Sequence, residues 1–470
     1  MPLTALQAFV NLCCRFCDFG KIRSTLGHIE RYAAEDSMFQ PASLTIDLRQ
    51  MILAIETAVS LVGMNDTNHG KRVGYIASQI CSGLGQSDDE IQAIFELGML
   101  HDCGVSTEQM HSNLVNHFDW SDAHIHCEIG YRLLKDFVPL EKYALPILYH
   151  HTPWEKLKTL DLPDEIKRKA NLIFLSDRVD VLAATHYDSD ILIVRDEILA
   201  SINSYRETYF DPFLVDAFAQ VEASEAFWIT LSDRHITRYT WDMGQFSSSE
   251  PLSLKQIKQL SLIMSYIVDQ KSAFTAQHSA RVADLAKFLA YSYGLTDYLC
   301  DKVEIAGLLH DLGKLHTPDH ILEKPGPLNA EELAIMNQHS YETFEILRHI
   351  SGLGDVAEWA AFHHEGVNGL GYPFHLKDSE LSIEARIIAV ADIFQALVQD
   401  RPYRKGMTEQ EVLEILDGMA QSGKLDVEVV GIAERHSAEC FNIAKGTSET
   451  GNRNSIDLFA PLPETVSAWR

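Results

Sequence analysis

The chain has 470 residues, a formal charge of −28, and 46% hydrophobic against 23% charged residues. That length makes two domains the expectation, and the composition is that of an ordinary soluble globular protein. So negative a chain argues against binding a nucleic acid polymer through its backbone, which most of the surface would repel, but does not exclude a small anion held by a metal or a local basic cluster.

Residues 1–43 read as a lead-in with modest helical character. Cys13, Cys14 and Cys17 crowd together there, yet no second Cys or His group stands at zinc-site spacing. The eight cysteines, scattered and without an export signal, read as reduced thiols of a cytoplasmic protein. An amphipathic helix is expected over 44–64, and Asp47, Arg49 and Glu56 break it too often for it to cross a bilayer. The next helix opens near His69, with Val73, Ile76, Ala77 and Ile80 at helical spacing. Helix follows helix from there; Ile229–Tyr239 is the best strand candidate, and the predicted class is all-α. Gly, Ser and Pro make 244–253 a linker between one domain over 44–243 and a second over 254–445, and 446–470 reads as a flexible polar tail.

The two domains are copies. His69 and His278 lie 209 positions apart, as do His101-Asp102 and His310-Asp311. His126 and His339 are 213 apart, as are His150-His151 and His363-His364; Asp177 and Asp392 are 215 apart, as are Asp211 and Asp426. An offset that drifts by so little is the mark of a tandem duplication with small loop insertions. Around His310-Asp311, apolar residues at 305, 308, 309 and 312 put the pair at the end of a buried helix expected to stop at Gly313.

The second copy gathers His278, His310, Asp311, His339, His363, His364 and Asp392. One ion needs four to six ligands, so five imidazoles and two carboxylates, one able to bridge, suit two divalent ions. Such a pair activates water and neutralises a phosphoryl oxygen, which makes phosphoester hydrolysis the natural chemistry.

The order His…His-Asp…His…His-His…Asp is similar to that of the HD superfamily of metal-dependent phosphohydrolases. The run His363-His364-Glu365-Gly366-Val367-Asn368-Gly369-Leu370-Gly371-Tyr372-Pro373 resembles the signature of its HD-GYP branch, as do Lys324-Pro325-Gly326-Pro327-Leu328 and Asp400-Arg401-Pro402-Tyr403-Arg404. The resemblance implies two tandem HD-type helical domains and hydrolysis of a cyclic dinucleotide to the linear form at an iron or manganese centre. Asp311 would bridge the ions, and Lys314 would hold a phosphate oxygen and assist the leaving 3′ oxygen. Arg401 and Arg404 match phosphate-contacting positions. Gly371, Tyr372 and Pro373 would shape a loop beside the substrate that is also a proposed docking surface for partner proteins. Phe274 stands where some members carry a third-metal carboxylate. Gly366, Asn368 and Gln395 replace a usual Arg, Asp and Asp, which leaves base preference open between cyclic di-GMP and the mixed guanine–adenine dinucleotide 3′,3′-cGAMP. A sensor that binds without hydrolysing, and a nucleotide phosphohydrolase from elsewhere in the superfamily, are the rival readings.

The first copy keeps a candidate second metal site: His69, His101, Asp102, His126, His150, His151 and Asp177. Val105 replaces Lys314, Thr152-Pro153-Trp154 replaces the Gly-Tyr-Pro loop, and His186 and Ser189 fall where Arg401 and Arg404 sit. This copy is degenerate; a regulatory metal site, a metal-free structural partner and a site for another substrate all remain open.

Overall fold

The structure is a computed structural model that describes residues 46–62, 68–116, 118, 120, 122–187, 189–245, 251–271, 277–400 and 405–447. The expectations for Cys13, Cys14, Cys17, Phe274, Arg401 and Arg404 lie outside the described residues. Among the described residues the fold is helical, with one sheet of two strands, Ile46–Asp47 antiparallel to Pro251–Leu252.

Six helices per copy carry or back the site. In the first copy these are α1 (Leu48–Ser60), α2 (His69–Gly83), α3 (Asp88–Leu100), α4 (His124–Leu134), α5 (Glu141–Tyr149) and α6 (Asp164–Ala183). Their counterparts are α7 (Leu254–Asp269), α8 (His278–Tyr293), α9 (Asp297–Leu309), α10 (Gln338–Leu347), α11 (Gly354–Ala361) and α12 (Ile383–Val398). The starts are written in side chains. Ser87 accepts from Glu90 N ahead of α3, and Thr296, at the repeat position, accepts from Leu299 N ahead of α9. Asp211 and Asp426 do the same for the helices Pro212–Val221 and Val427–Arg435, so this recurring pair is a helix cap and not part of a site.

Glycine sets how closely the helices meet. A Cβ on Gly98 would lie 2.3 Å from Gly74 Cα, and one on Gly307 would lie 2.8 Å from Ala283 Cα, so α3 packs on α2, and α9 on α8, backbone to backbone. Two sequence expectations need correction. The helix before His310-Asp311 ends at Leu309, and a 3-10 turn over Leu312–His316 carries the chain through Gly313. Gly313 is needed for approach rather than termination, because a Cβ there would stand 2.0 Å from His339 O; its counterpart Gly104 is 2.1 Å from His126 O. Ile229–Tyr239 is no strand but parts of the helices Glu225–Thr230 and Asp233–Gln245. Trp228, Leu231 and Ile236 are buried and the Tyr239 ring packs edge-on against Tyr75, a spacing of three to five that suits a helix and not an alternating strand.

The copies pack on each other within the unit Leu44–Arg470. Gln50 on α1 donates to Ser351 Oγ at 3.2 Å and accepts from Ser351 N at 2.8 Å. Its repeat counterpart Gln259 on α7 donates to Asp136 O at 2.9 Å. Each copy thus reaches past the end of the other's fourth helix, the reciprocity expected of a pseudo-two-fold interface. Ile52 and Ile55 of α1 share one buried core with Leu260, Ile263 and Met264 of α7.

Candidate functional site

The seven donors of the second copy arrive from the ends of four helices and the middle of a fifth, and converge. His278 opens α8, His310 caps α9, His339 lies in the first turn of α10, His363 and His364 follow α11 in a 3-10 turn, and Asp392 lies on α12. Asp311 is the centre. Its Oδ2 faces His310 Nε2 at 3.3 Å and His278 Nε2 at 3.8 Å, while its Oδ1 faces His339 Nε2 at 3.7 Å and His363 Nε2 at 3.8 Å. One carboxylate therefore offers one oxygen to each of two imidazole groups. Asp392 Oδ1 completes the first group, 3.3 Å from His278 Nε2 and 3.7 Å from His310 Nε2. His339, His363 and His364 bring their donor atoms within 4.8 Å of one another, which completes the second.

Ring orientation is set by the backbone. Nδ1 of His310, His339 and His363 donates to the carbonyl three residues earlier, Gly307, Met336 and Ala360, at 2.7, 2.6 and 2.6 Å. That bond assigns the proton to Nδ1 and turns the Nε2 lone pair inward, the tautomer a metal needs. Buried His310 Nε2 and Asp311 Oδ1 find no hydrogen-bond partner among the described residues, a cost that a cation would remove. Burial pushes His339 down to about 4 and His364 to about 3, so both imidazoles are neutral at neutral pH. Burial also opposes charge on His310, but Asp311 and Asp392 outweigh it and raise that group to about 10. A positive charge is wanted at this spot, and a proton and a metal ion compete for it. The donor set fits divalent transition metals.

The first copy builds the same cage. Asp102 Oδ2 lies 3.4 Å from His101 Nε2 and 3.7 Å from His69 Nε2, and its Oδ1 lies 3.3 Å from His126 Nε2. Asp177 stands 3.5 Å from His69 and 3.8 Å from His151, and His126, His150 and His151 form the second group. His101 Nδ1 and His150 Nδ1 donate to Gly98 O and Ile147 O at 2.7 and 2.6 Å, and His101 Nε2 and Asp102 Oδ1 are the matching unpartnered atoms.

The copies part at the rim. Lys314 Nζ sits 2.5 Å from Asp311 Oδ2 with its side chain 20% exposed, at the cage mouth; Val105 is buried in the first copy's core. Tyr372 lays its ring 4.8 Å from that of His364, beside cage and solvent, and Gly371 admits the loop because a Cβ would be 2.4 Å from Glu365 Cα. Asn368 ties the loop to the end of the helix Glu409–Gln421, donating to Ser422 O at 3.2 Å, and accepts within the loop from Leu370 N at 3.0 Å.

Sequence reasoning missed four supports. Buried Glu365 accepts from the backbone N–H groups of Phe374, His375 and Leu376 at 2.7, 3.1 and 3.1 Å and ties the loop down. Thr343 accepts from Gly313 N at 2.9 Å and donates to His310 O at 3.1 Å, which locks the His-Asp turn to α10. Asp180 binds His69 Nδ1 at 2.7 Å, and Arg178 binds Asp177 Oδ2 at 2.7 Å. Asp180 follows Asp177 by one helical turn and falls, at the repeat offset of 215, where Gln395 replaces a usual Asp, so the spacing and the repeat were both available signals.

Comparison with known proteins identifies the family. The HD-domain family profile matches residues 67–182 and, in a second variant, 262–429. The chain is 37% identical over 414 residues to a 3′3′-cGAMP-specific phosphodiesterase 1 of Vibrio cholerae, covering 86% of this chain and 95% of that protein. A cyclic di-GMP phosphodiesterase of Thermotoga maritima is 35% identical over 206 residues, 41% of this chain and 54% of that one. The crystal structure of a cyclic GMP-AMP-specific phosphodiesterase of V. cholerae shares the fold, with a TM-score of 0.57 at 23% identity over 85% of this chain and 98% of that one. With two matched HD domains, and a relative matched over nearly its whole length, the chain belongs to the HD-GYP family of metal-dependent cyclic dinucleotide phosphodiesterases.

Proposed function

We propose that the second copy hydrolyses 3′,3′-cGAMP to the linear dinucleotide at two divalent ions, iron or manganese. The observation that carries this reading is the split of Asp311, one oxygen toward His278 and His310 and the other toward His339 and His363. His278, His310, Asp392 and Asp311 would hold one ion, and His339, His363, His364 and Asp311 the other. Bound there, the ions would supply a water acidified to near neutral pH and neutralise phosphoryl charge. Nδ1 bonds to the backbone hold the imidazoles in the ligating tautomer. Lys314, at the cage mouth beside Asp311, would offer a point charge to a phosphate oxygen and to the departing 3′ oxygen. Tyr372 walls the cage on the loop side, and Arg401 and Arg404 are proposed to bind the second phosphate. The V. cholerae relative matched over 95% of its length is named for 3′3′-cGAMP, which favours that base pair over cyclic di-GMP. In the first copy, without a counterpart of Lys314 or the Gly-Tyr-Pro loop, the cage is proposed to hold metal without turnover.

Chromatography of products from 3′,3′-cGAMP, cyclic di-GMP and cyclic di-AMP offered side by side tests this. Linear product from 3′,3′-cGAMP first is expected, with turnover abolished in His310→Ala and Asp311→Asn while the helical content survives. Binding of all three with no linear product would identify a sensor and refute the catalytic reading.

A further inference from the structure

The two cages differ in what stands behind them. In the first copy Asp180 is fully buried behind His69. Its Oδ2 takes the His69 Nδ1 proton at 2.7 Å, and its Oδ1 is held by Arg72 Nε at 2.7 Å and by the Tyr187 hydroxyl. Arg72 is itself buried and lies 4.6 Å over the Tyr187 ring, so the carboxylate cannot swing away. In the second copy that position is Gln395, whose amide N and O are buried and meet no partner among the described residues. His278 Nδ1 has instead the neutral Gln399 Oε1, at 3.2 Å. Arg281, the counterpart of Arg72, turns to Gln277 Oε1 and Ala444 O. A carboxylate behind a ligating imidazole fixes its orientation and raises its basicity, and losing one costs about 10–100-fold in metal affinity.

The nearby cations add to this contrast. In the second copy Lys314 Nζ sits 2.5 Å from the bridging carboxylate itself, on the oxygen that faces His278 and His310. In the first copy the cation is Arg178, and it lies on Asp177, a terminal ligand, at 2.7 Å and 3.1 Å on one oxygen, leaving Oδ1 turned to His69. Among the described residues, the ion-pair partners of Asp102, the bridging group there, are imidazoles, with no Lys or Arg among them.

We infer that the first copy is the tight metal site of the chain, retaining a divalent transition metal while the second copy's catalytic metals exchange, and that Asp180 is the positioning residue responsible. This rests on the reading that both cages hold metal, and the test separates the two. Full-length protein loaded with Mn²⁺ is challenged with excess EDTA, and metal per chain is followed by mass spectrometry against time. Release is expected in two phases, the slow one present in His310→Ala and absent in His101→Ala. Asp180→Asn is expected to speed the slow phase about 10–100-fold without changing the fast one. Gln395→Asp, which supplies the missing carboxylate behind His278, is expected to slow the fast phase and covers the case in which Asp180→Asn does not fold. Equal metal content in wild type and His101→Ala would show that the first cage holds none and would overturn the underlying reading. A slow phase that survives His101→Ala but not His310→Ala, or one insensitive to Asp180→Asn in folded protein, would overturn the inference alone.

Discussion

Glu365→Ala tests whether the Gly-Tyr-Pro loop is positioned by one buried carboxylate. Glu365 is 5% exposed and receives three backbone N–H groups, from Phe374, His375 and Leu376. A hydrogen bond to a charged acceptor nets about 1.5–3 kcal/mol. Phe374 and His375 are exposed, so water takes up part of what Ala abandons, and about 1 kcal/mol per bond is the reasonable figure. The sum, about 3 kcal/mol, is about a 100-fold rise in the opening constant of the loop. Native-state hydrogen exchange at these three amides reads that constant directly and does not require the whole chain to unfold in two states. Glu365→Gln keeps an acceptor for Phe374 and His375 but turns an NH₂ toward Leu376, so about 10-fold is expected at that amide. Tyr372 rests on His364 at the cage edge, so KM for the dinucleotide should rise at unchanged metal content. Exchange rates that stay at the wild-type value in Glu365→Ala would refute the reasoning.

Lys314→Met should leave metal content intact and lower kcat by about 100-fold, the size found for losing one preorganised charge at a reacting oxygen, measured on metal-saturated enzyme. For chelated protein, His339 and His126 sit near 4 and His364 and His150 near 3 because burial opposes their charge. Between about pH 6.5 and about pH 4 the unfolded chain binds protons there that the folded chain refuses, so stability falls as pH drops through this window. His310, raised to about 10 by Asp311 and Asp392 against its burial, loses its contribution as pH rises from about 6.5 toward that value. The urea midpoint of the chelated protein should therefore be highest near neutrality and lower at about pH 5; metal-loaded protein should be flatter. Asp319→Ala should weaken the interface between the copies. Lys271 is 2% exposed and binds Asp319 at 3.1 Å and Leu315 O at 2.9 Å, while Asp319 also accepts from Glu108 N of the first copy at 2.9 Å. Breaking a buried pair costs about 3–5 kcal/mol, and the 24% exposure of Asp319 brings this toward about 2 kcal/mol, read as a lower thermal midpoint and faster proteolysis.

The donors were legible in the sequence because duplication printed them twice. A helix end that must deliver a His to a fixed point tolerates no slippage, so His69 and His278, or His150 and His363, recur at nearly constant offset while the loops between them drift. What stood behind the donors was not legible. The repeat aligns Asp180 with the position where Gln395 replaces a usual Asp, but only the fold shows it meeting His69 Nδ1, and nothing in the residues around Glu365 says that a loop nine to eleven positions later returns to it. The misread strand at Ile229–Tyr239 failed for a related reason. A short apolar stretch satisfies both periods, and only its packing against Tyr75 decides between them.

The same logic accounts for what the first copy kept and what it lost. Lys314 and the Gly-Tyr-Pro loop lie at the surface, the Lys314 side chain 20% exposed and Leu370 83% exposed, so discarding them leaves the helical core intact. The cage is different. His101, His126 and His150 are fully buried, and in each copy an imidazole Nε2 and a carboxylate Oδ1 at the centre lack a hydrogen-bond partner among the described residues. Buried polar atoms without partners cost about 1–3 kcal/mol each, and removing the donors one at a time would leave the others worse off. A cage of this kind is stable filled, or stable wholly replaced by apolar residues, but not in between. The first copy still holds all seven donors and has Asp180 and Arg178 braced behind two of them, so the metal proposed there would serve how that half of the chain stays folded rather than persist as a relic of catalysis.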